Sequence, residues 1–285
     1  MNKGMSPADQ LSFSTVRIAC KTRAGEDSVG TGFFLTFPLN DNKNIPVIIT
    51  NRHVIKDSVV GTFQLTEADE DRMPKIGNFI NVRLDAFEGH WVNHPDNDVD
   101  LCAMPIAPLF HAAKDQGKSL FYQSLDKDLV ATPETMSELS ALEEVVMVGY
   151  PVGIWDSSNN MPIFRKGVTA TRPDLDYEGR KEFMIDVACF PGSSGSPILL
   201  FNVGGYTTKT GDTIIGTTRI KLLGVLYAGP QLTVEGRLEV VPVPTRTTPI
   251  SVSQIPTNLG LVIKAERILE FEDIFSRLVQ QKQGS

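Results

Sequence analysis

Short runs of β-branched, aromatic and aliphatic residues, broken by Gly, Pro, Asn and Asp, most limit how this 285-residue chain can fold. They occupy residues 16–20, 31–36, 46–50, 79–84, 100–106, 145–149, 183–187, 196–201 and 222–228. Runs of this length and make-up predict strands, and so spaced they favour a β-barrel or sandwich over a parallel sheet. The stretch around 112–141 is polar and charged and contains Pro133, so it reads as the connection between two β-halves. The expected organisation is a tail at 1–13, a first half at 14–115, a connection at 116–141, a second half at 142–264 and a terminal segment at 265–285. Residues 204–218, centred on Thr210-Gly211-Asp212, read as a hairpin tip. The insert at 231–257 holds Pro242, Pro244, Pro249 and Pro256, which argues against regular central strands there. From 265 to 279, Ile268, Leu269, Phe271, Ile274, Phe275, Leu278 and Val279 recur at helical spacing and predict a docked amphipathic helix.

Composition bounds the function. With 41% hydrophobic and 21% charged residues, the chain suits an ordinary soluble globular protein. A net charge of -7 argues against nucleic acid as a partner, because neutralising phosphates needs a basic surface. No apolar stretch approaches the roughly 18 residues of a membrane span, and the amino terminus lacks a signal peptide's apolar core. A membrane partner is therefore not expected. Cys20, Cys102 and Cys189 form an odd, scattered set without CxxC spacing, which disfavours a disulfide framework or a zinc site and points to a reducing cytoplasm.

Three segments carry chemistry. Residues 192–197 read Gly-Ser-Ser-Gly-Ser-Pro and close the apolar run Ile185-Asp186-Val187-Ala188-Cys189-Phe190-Pro191. Gly192 and Gly195 lack a Cβ, so the turn can aim backbone N–H groups at one spot beside the Ser194 hydroxyl, where an oxyanion could be stabilised. A plain small-residue turn is the alternative for this segment alone. His53 follows the apolar strand Pro46-Val47-Ile48-Ile49, where an imidazole can be held firmly and still face a cleft. As a side-chain type, imidazole takes and returns a proton near neutral pH. Asp100 precedes another apolar strand and is placed to orient that imidazole, with Asp98 as competitor on the same strand face. Asp96, Asp98 and Asp100 alternate as in a calcium loop, but Leu101 and Ala107 stand where the loop's glycine and bidentate acid belong. His90 and His94 lack the Glu and helical setting of a zinc protease, and Leu35 stands at the third glycine position of a dinucleotide fingerprint begun by Gly30 and Gly32. No metal or organic cofactor is expected.

Together these segments, in the order His, Asp, Ser, resemble the trypsin/chymotrypsin-like serine proteases, most of all the bacterial HtrA-type (Deg) branch. The resemblance covers roughly residues 14 to 270. It is carried by Gly30-Thr31-Gly32-Phe33-Phe34-Leu35, Thr50-Asn51-Arg52-His53-Val54, Asp100-Leu101-Cys102-Ala103-Met104, Val148-Gly149-Tyr150-Pro151-Val152-Gly153, Lys166-Gly167-Val168-Thr169-Ala170, residues 186–197, and Leu259-Gly260-Leu261-Val262-Ile263. It implies an all-β fold of two antiparallel six-stranded β-barrels followed by the C-terminal helix, with the site between the barrels. It also implies Ser194 as nucleophile, His53 as general base and then acid, Asp100 as orienter, and an oxyanion hole from the N–H groups of Gly192 and Ser194. Substrate contacts carried over are Ala188 at the pocket floor, with Cys189 as packed wall, and Tyr227, Ala228 and Gly229 on the strand that pairs with an extended peptide. Without an acid at Ala188, a buried Arg or Lys would lie unpaired, so small or medium apolar P1 residues are expected.

The chain also departs from the pattern. Ser193 stands where digestive relatives carry an aspartate that pairs with a freshly cut amino terminus, so that kind of zymogen cleavage is not expected. Val54 replaces the cysteine bridged in secreted relatives, and no PDZ-like module is expected after Ile263. A proteolytically silent module that binds peptides or proteins, a protease activated by a protein partner, and an esterase-like hydrolase remain as rivals. The last lacks the Gly-x-Ser-x-Gly elbow.

Overall fold

The computed structural model of the chain describes residues 4–38, 44–234 and 253–283. Strands dominate, as the residue runs predict. In chain order they are β1 (Thr15–Thr22), β2 (Asp27–Pro38), β3 (Asn44–Thr50), β4 (Ser58–Ala68), β5 (Pro74–Asp85), β6 (Val92–Asn93), β7 (Cys102–Pro105), β8 (Leu125–Asp126), β9 (Glu144–Gly149), β10 (Ile163–Thr169), β11 (Glu182–Asp186), β12 (Pro197–Thr207), β13 (Thr213–Ala228), β14 (Gln231–Val234), β15 (Ser253–Pro256) and β16 (Leu259–Lys264). The short helices are α1 (Pro7–Leu11), α2 (Arg52–Ile55), α3 (Ala107–Asp115) and α4 (Pro133–Ser137), and the chain ends in α5 (Glu272–Gln283). None is long and apolar enough to cross a membrane.

The second half closes as expected, into a six-stranded barrel of order β10-β11-β16-β13-β12-β9. The first half differs from the expected six-stranded barrel. It is an eight-stranded sheet of order β5-β4-β1-β2-β3-β7-β6, with β8 pairing with β2 in parallel. Closure would need a ladder between β5 and β6. Instead β6 is only two residues long, and the link to it is a 3-10 turn, Phe87–His90. The Phe87 ring is fully buried over Gly61, where a Cβ would come within 2.3 Å of it, and Trp91 packs edge-on to it at 5.7 Å. An aromatic plug thus takes the place of a strand pairing. The connection is also more structured than its polarity suggested, because it carries α4 and buries Leu125, Val130, Ala131, Met136 and Leu139. β12 and β13 run well into the segment read as a hairpin tip, leaving the turn near Thr208–Asp212. In the insert, β14 and β15 pair with each other, and residues 235–252, with Pro242, Pro244 and Pro249, lie outside the described residues.

One apolar cluster belongs to both halves. Phe33, Leu35 and Ile49 of the first sheet pack with Val148, Leu199, Val225 and Ile263 of the barrel, and Ile268, Phe271 and Phe275 seal it from the C-terminal end. The predicted terminal helix is a composite: residues Ala265–Phe271 form a 3-10 helix before α5. Ala265, Ile268 and Phe271 are the buried positions of that turn, the three-residue repeat of a 3-10 helix, and Phe275 follows at α-helical spacing. Burial of Phe271 should therefore hold the terminus on both halves. Phe271→Ala is expected to lower unfolding free energy by about 3–5 kcal/mol in urea titration, while Leu278→Ala on the exposed face changes it by about 0.5 kcal/mol or less.

Candidate active site

The candidate base sits where a buried strand stops. β3 ends in four buried residues, Val47 to Thr50, and α2 follows as a single turn that buries Val54 and Ile55 while His53 stays about half exposed. Three bonds tie this turn to Asp100. Asn51 Nδ2 donates to the Asp100 carbonyl at 2.9 Å, the His53 N–H donates to Asp100 Oδ1 at 3.0 Å, and His53 Nδ1 lies 2.5 Å from Asp100 Oδ2. An ionised carboxylate only accepts, so this contact assigns the ring proton to Nδ1 and leaves Nε2 as the acceptor.

The segment ahead of Asp100 is braced from the C-terminal end. His94 is buried; its N–H donates to the Leu101 carbonyl, and its Nδ1 accepts from the Asp96 N–H at 3.1 Å, so Nε2 donates to the Arg267 carbonyl at 2.9 Å. Arg267 pairs with Asp96 at 2.7 Å and with Glu270 at 2.9 Å. The Asp98 N–H, and then Arg267, hold the Asp96 carboxylate below its usual range. Of the two candidate acids, Asp100 is the one bonded to the imidazole.

The candidate nucleophile sits on two consecutive tight turns. The Ser193 N–H bonds to the Phe190 carbonyl at 2.9 Å and the Ser196 N–H to the Ser193 carbonyl at 3.0 Å. The third residue of each turn is a glycine, Gly192 at φ +88° and Gly195 at φ +86°, while the second residues, Pro191 and Ser194, keep negative φ. That combination is the type II turn, and it explains the Pro-Gly and Ser-Gly steps in the sequence. The N–H groups of Ser193, Gly195 and Ser196 are all used internally, Gly195 donating to the Leu226 carbonyl at 2.8 Å. Those of Gly192 and Ser194 have no acceptor among the described residues. The Ser194 hydroxyl and His53 Nε2 likewise have no hydrogen-bond partner among the described residues.

The carbonyls of this turn are anchored from outside. Pro191 accepts from the Val152 N–H at 2.5 Å, Gly192 from Thr31 Oγ1 at 3.0 Å, and Ser194 from the Thr31 N–H at 2.8 Å. Val152 sits at φ 51°, a left-handed conformation unfavourable for a β-branched residue, within a turn closed by the Gly153 N–H on the Tyr150 carbonyl. Arg165 supports the turn from behind, with Nη1 3.0 Å from the Ala188 carbonyl and its guanidinium 4.9 Å from the Phe190 ring.

A pocket of about 350 Å³ opens beside Ser194. Besides Ser194 it is lined by Cys189, Phe190, Pro191, Leu226, Tyr227, Ala228, Gly229, Pro230 and Leu259. No charged side chain lines it, and the Tyr227 hydroxyl is bonded to Glu182 at 2.8 Å. Ala188, expected at its floor, is not among the lining residues; its carbonyl is engaged by Arg165 instead. Cys189 Sγ packs so close to Gly260 that a Cβ there would meet it at 2.7 Å, and Leu226 at 2.6 Å. Both residues therefore crowd this side of the pocket. The Thr257 hydroxyl donates to the Pro230 carbonyl at 2.9 Å, so the stem of the insert begins at the pocket rim. Thr31, Val152 and Leu259 escaped the sequence reading as site residues. Thr31 lay inside a recognised motif, but nothing local marks which distant carbonyl a buried hydroxyl reaches.

Residues 30–205 match the trypsin-like peptidase domain. No curated protein matches the chain in sequence. Among solved structures it is similar to the HtrA-type protease AlgW with tripeptide, at TM-score 0.50 and 13% identity, over 94% of this chain and 62% of that one. This chain thus spans less than two thirds of that relative's length. It is also similar to the Rv3671c protease from M. tuberculosis in its active form, at TM-score 0.42 and 16% identity over 92% and 84% of the two chains. A third likeness is to HL collagenase, at TM-score 0.46 and 12% identity over 97% and 95%.

Burial pushes the Cys189 thiol up to about 11, against a smaller opposing pull from Arg165. Only the thiolate alkylates readily, so Cys189 should stay unmodified by iodoacetamide near neutral pH and become labelled as the pH rises towards 11, as peptide mass spectrometry would read directly.

Proposed function

Because the chain belongs to the trypsin-like peptidase family, matched over residues 30–205, we propose that it is a serine endopeptidase working through Ser194, His53 and Asp100. Ser194 Oγ attacks the scissile carbonyl while His53 Nε2 takes its proton, and Asp100 keeps the ring proton on Nδ1 and steadies the imidazolium. The carbonyl electron pair moves onto oxygen, where the N–H groups of Gly192 and Ser194 receive it. His53 then returns the proton to the leaving amine, the C–N bond breaks, and an ester to Ser194 remains. Water, deprotonated by the same imidazole, hydrolyses that ester and restores the serine.

The observation that carries this reading is the selective freedom of two amides. In a turn whose other N–H groups are bonded, those of Gly192 and Ser194 alone meet no acceptor among the described residues, and they belong to the nucleophile and the residue two before it. The His53–Asp100 pair supports it from the first sheet. The uncharged lining of the pocket supports small or medium apolar P1 residues, now on account of Leu226, Leu259 and Cys189 rather than Ala188. A peptide is the natural occupant, and the three free cysteines suit a reducing compartment such as the cytoplasm.

A second reading, latency until a protein partner orders the site, draws on the missing bond between the Ser194 hydroxyl and His53 Nε2. In the absence of substrate such bonds are often long, so it ranks below direct activity. A fluorophosphonate should label the wild-type protein and not Ser194→Ala. Peptide hydrolysis should fall by about 10⁶-fold in kcat for Ser194→Ala or His53→Ala and about 10⁴-fold for Asp100→Asn. In a peptide library, cleavage should follow small and medium apolar residues. Dominant cleavage after Arg or Lys would overturn the pocket assignment, and an unlabelled wild type would overturn the enzymatic reading.

A further inference from the structure

Thr31 lies at the seam of the two halves, fully buried, with its N–H and hydroxyl engaged across the seam and its carbonyl bonded within the first half. Its N–H donates to the Ser194 carbonyl at 2.8 Å and its carbonyl accepts from Thr50 Oγ1 at 2.7 Å. Its hydroxyl accepts from the Tyr150 N–H at 3.1 Å and lies 3.0 Å from the Gly192 carbonyl. An amide can only donate, so the Tyr150 contact uses a hydroxyl lone pair and leaves the hydroxyl proton for Gly192. Thr31 is β-branched, which restricts χ1 and holds the hydroxyl in this direction.

That bond falls on one of the two glycines of the nucleophile turn. Glycine has little preference for one sign of φ, so Gly192 at φ +88° is held mainly by its surroundings. The peptide after it is fixed at both ends, by Thr31 Oγ1 on the Gly192 carbonyl and by the Ser193 N–H on the Phe190 carbonyl. The peptide before it is fixed through the Pro191 carbonyl by the Val152 N–H. A trans peptide sets C=O and N–H in opposite directions, so the Val152 bond on the Pro191 carbonyl aims the Gly192 N–H, and the Thr31 bond fixes the plane on the other side of the same glycine. Tyr150 and Val152 come from one short segment, so the same segment that holds the Thr31 hydroxyl also holds Pro191.

We propose that the Thr31 hydroxyl is a positioning residue that sets the direction of the Gly192 N–H towards the developing oxyanion. The inference rests on the peptidase reading above and adds a first-sheet residue to it. Without the hydroxyl, the Gly192 carbonyl and the Tyr150 N–H both lose a buried partner, so the plane after Gly192 and the segment that holds the plane before it each lose a restraint. Substrate still occupies its pocket, but the transition state loses alignment.

The test uses the full chain with Thr31→Val, Thr31→Ala and Thr31→Ser, and three readouts: kcat and KM on one peptide substrate, affinity for a peptide boronic acid, and affinity for the same peptide as a carboxamide. The boronate forms a tetrahedral adduct with the serine and so reports the oxyanion site; the carboxamide reports the pocket alone. Thr31→Val is expected to lose about 10²-fold in kcat and in boronate affinity, with KM and carboxamide affinity unchanged, and Thr31→Ser is expected to stay near wild type. Wild-type kcat and boronate affinity in Thr31→Val would overturn the inference. So would a parallel loss of carboxamide affinity, an equal loss in Thr31→Ser, or failure of both Thr31→Val and Thr31→Ala to fold while Thr31→Ser folds. If Thr31→Val alone fails to fold, Thr31→Ala is expected to show the same split. A wild type that neither reacts with fluorophosphonate nor binds the boronate would strike down the peptidase reading itself, whereas a reactive wild type with an unaffected Thr31→Val strikes down only the positioning role.

Discussion

The backbone contact between β2 and the turn that carries Ser194 is possible only because two residues at the seam have no side chain. A Cβ on Gly195 would lie 1.9 Å from the Thr31 carbonyl oxygen, and one on Gly149 would lie 2.1 Å from Ser196 Oγ and 2.7 Å from Thr31 Oγ1. Any larger residue at either position would force the halves apart. With the glycines in place, Ser194 is one hydrogen bond from Thr31, and Thr31 is one more from Thr50, at the end of the strand that leads into His53. The serine and histidine segments thus share a single scaffold residue. The close approach matters more than any single contact in the site, because hydrogen bonds lose strength steeply with distance and angle.

Around that seam, apolar packing and local polar bracing divide the work. The cluster that joins Phe33 and Leu35 to Val148, Leu199 and Val225 makes the two halves one packed unit, so relative movement would expose core residues from both. The 3-10 turn and α5 close the same cluster with Phe271 and Phe275. From that end Arg267 and His94 reach the segment before Asp100. Packing at the terminus and the bearing of Asp100 are therefore physically connected. The turn around Ser194, by contrast, is held through the carbonyls of Pro191, Gly192 and Ser194 and the amides of Ser193, Gly195 and Ser196, and among the described residues the Gly192 and Ser194 amides meet no acceptor.

The sequence went far towards the second half and less far with the first. Strand positions were legible because alternation and β-branching are local properties, and β7, β9, β11 and β12 fall where apolar runs stood, whereas β16 was foreseen only through the family resemblance. β4 was missed, its run of Ser58-Val59-Val60-Gly61-Thr62 being interrupted by small and polar residues. Closure of the first sheet was misjudged because it depends on which edges meet, and Phe87 over Gly61 occupies that place in space while saying little in sequence. The terminal helix was legible as an apolar repeat, but its 3-10 beginning was not, since spacings of three also occur in an α-helix.

By itself the sequence determined the chemical parts: an imidazole after a buried strand, an acid before another, and a serine between glycines that permit positive φ. It also made the two type II turns available, because Gly192 and Gly195 accept the positive φ that each turn needs. Tertiary structure alone decided where those parts point. His53 Nδ1 meets Asp100 Oδ2, Leu259 and Leu226 rather than Ala188 line the pocket, and the Val152 N–H holds the Pro191 carbonyl, whose opposite end is the open Gly192 amide, while Thr31 holds the carbonyls of Gly192 and Ser194. The reason is that residue type limits torsions over a few positions, while the direction of a peptide plane is set by partners far away in the chain.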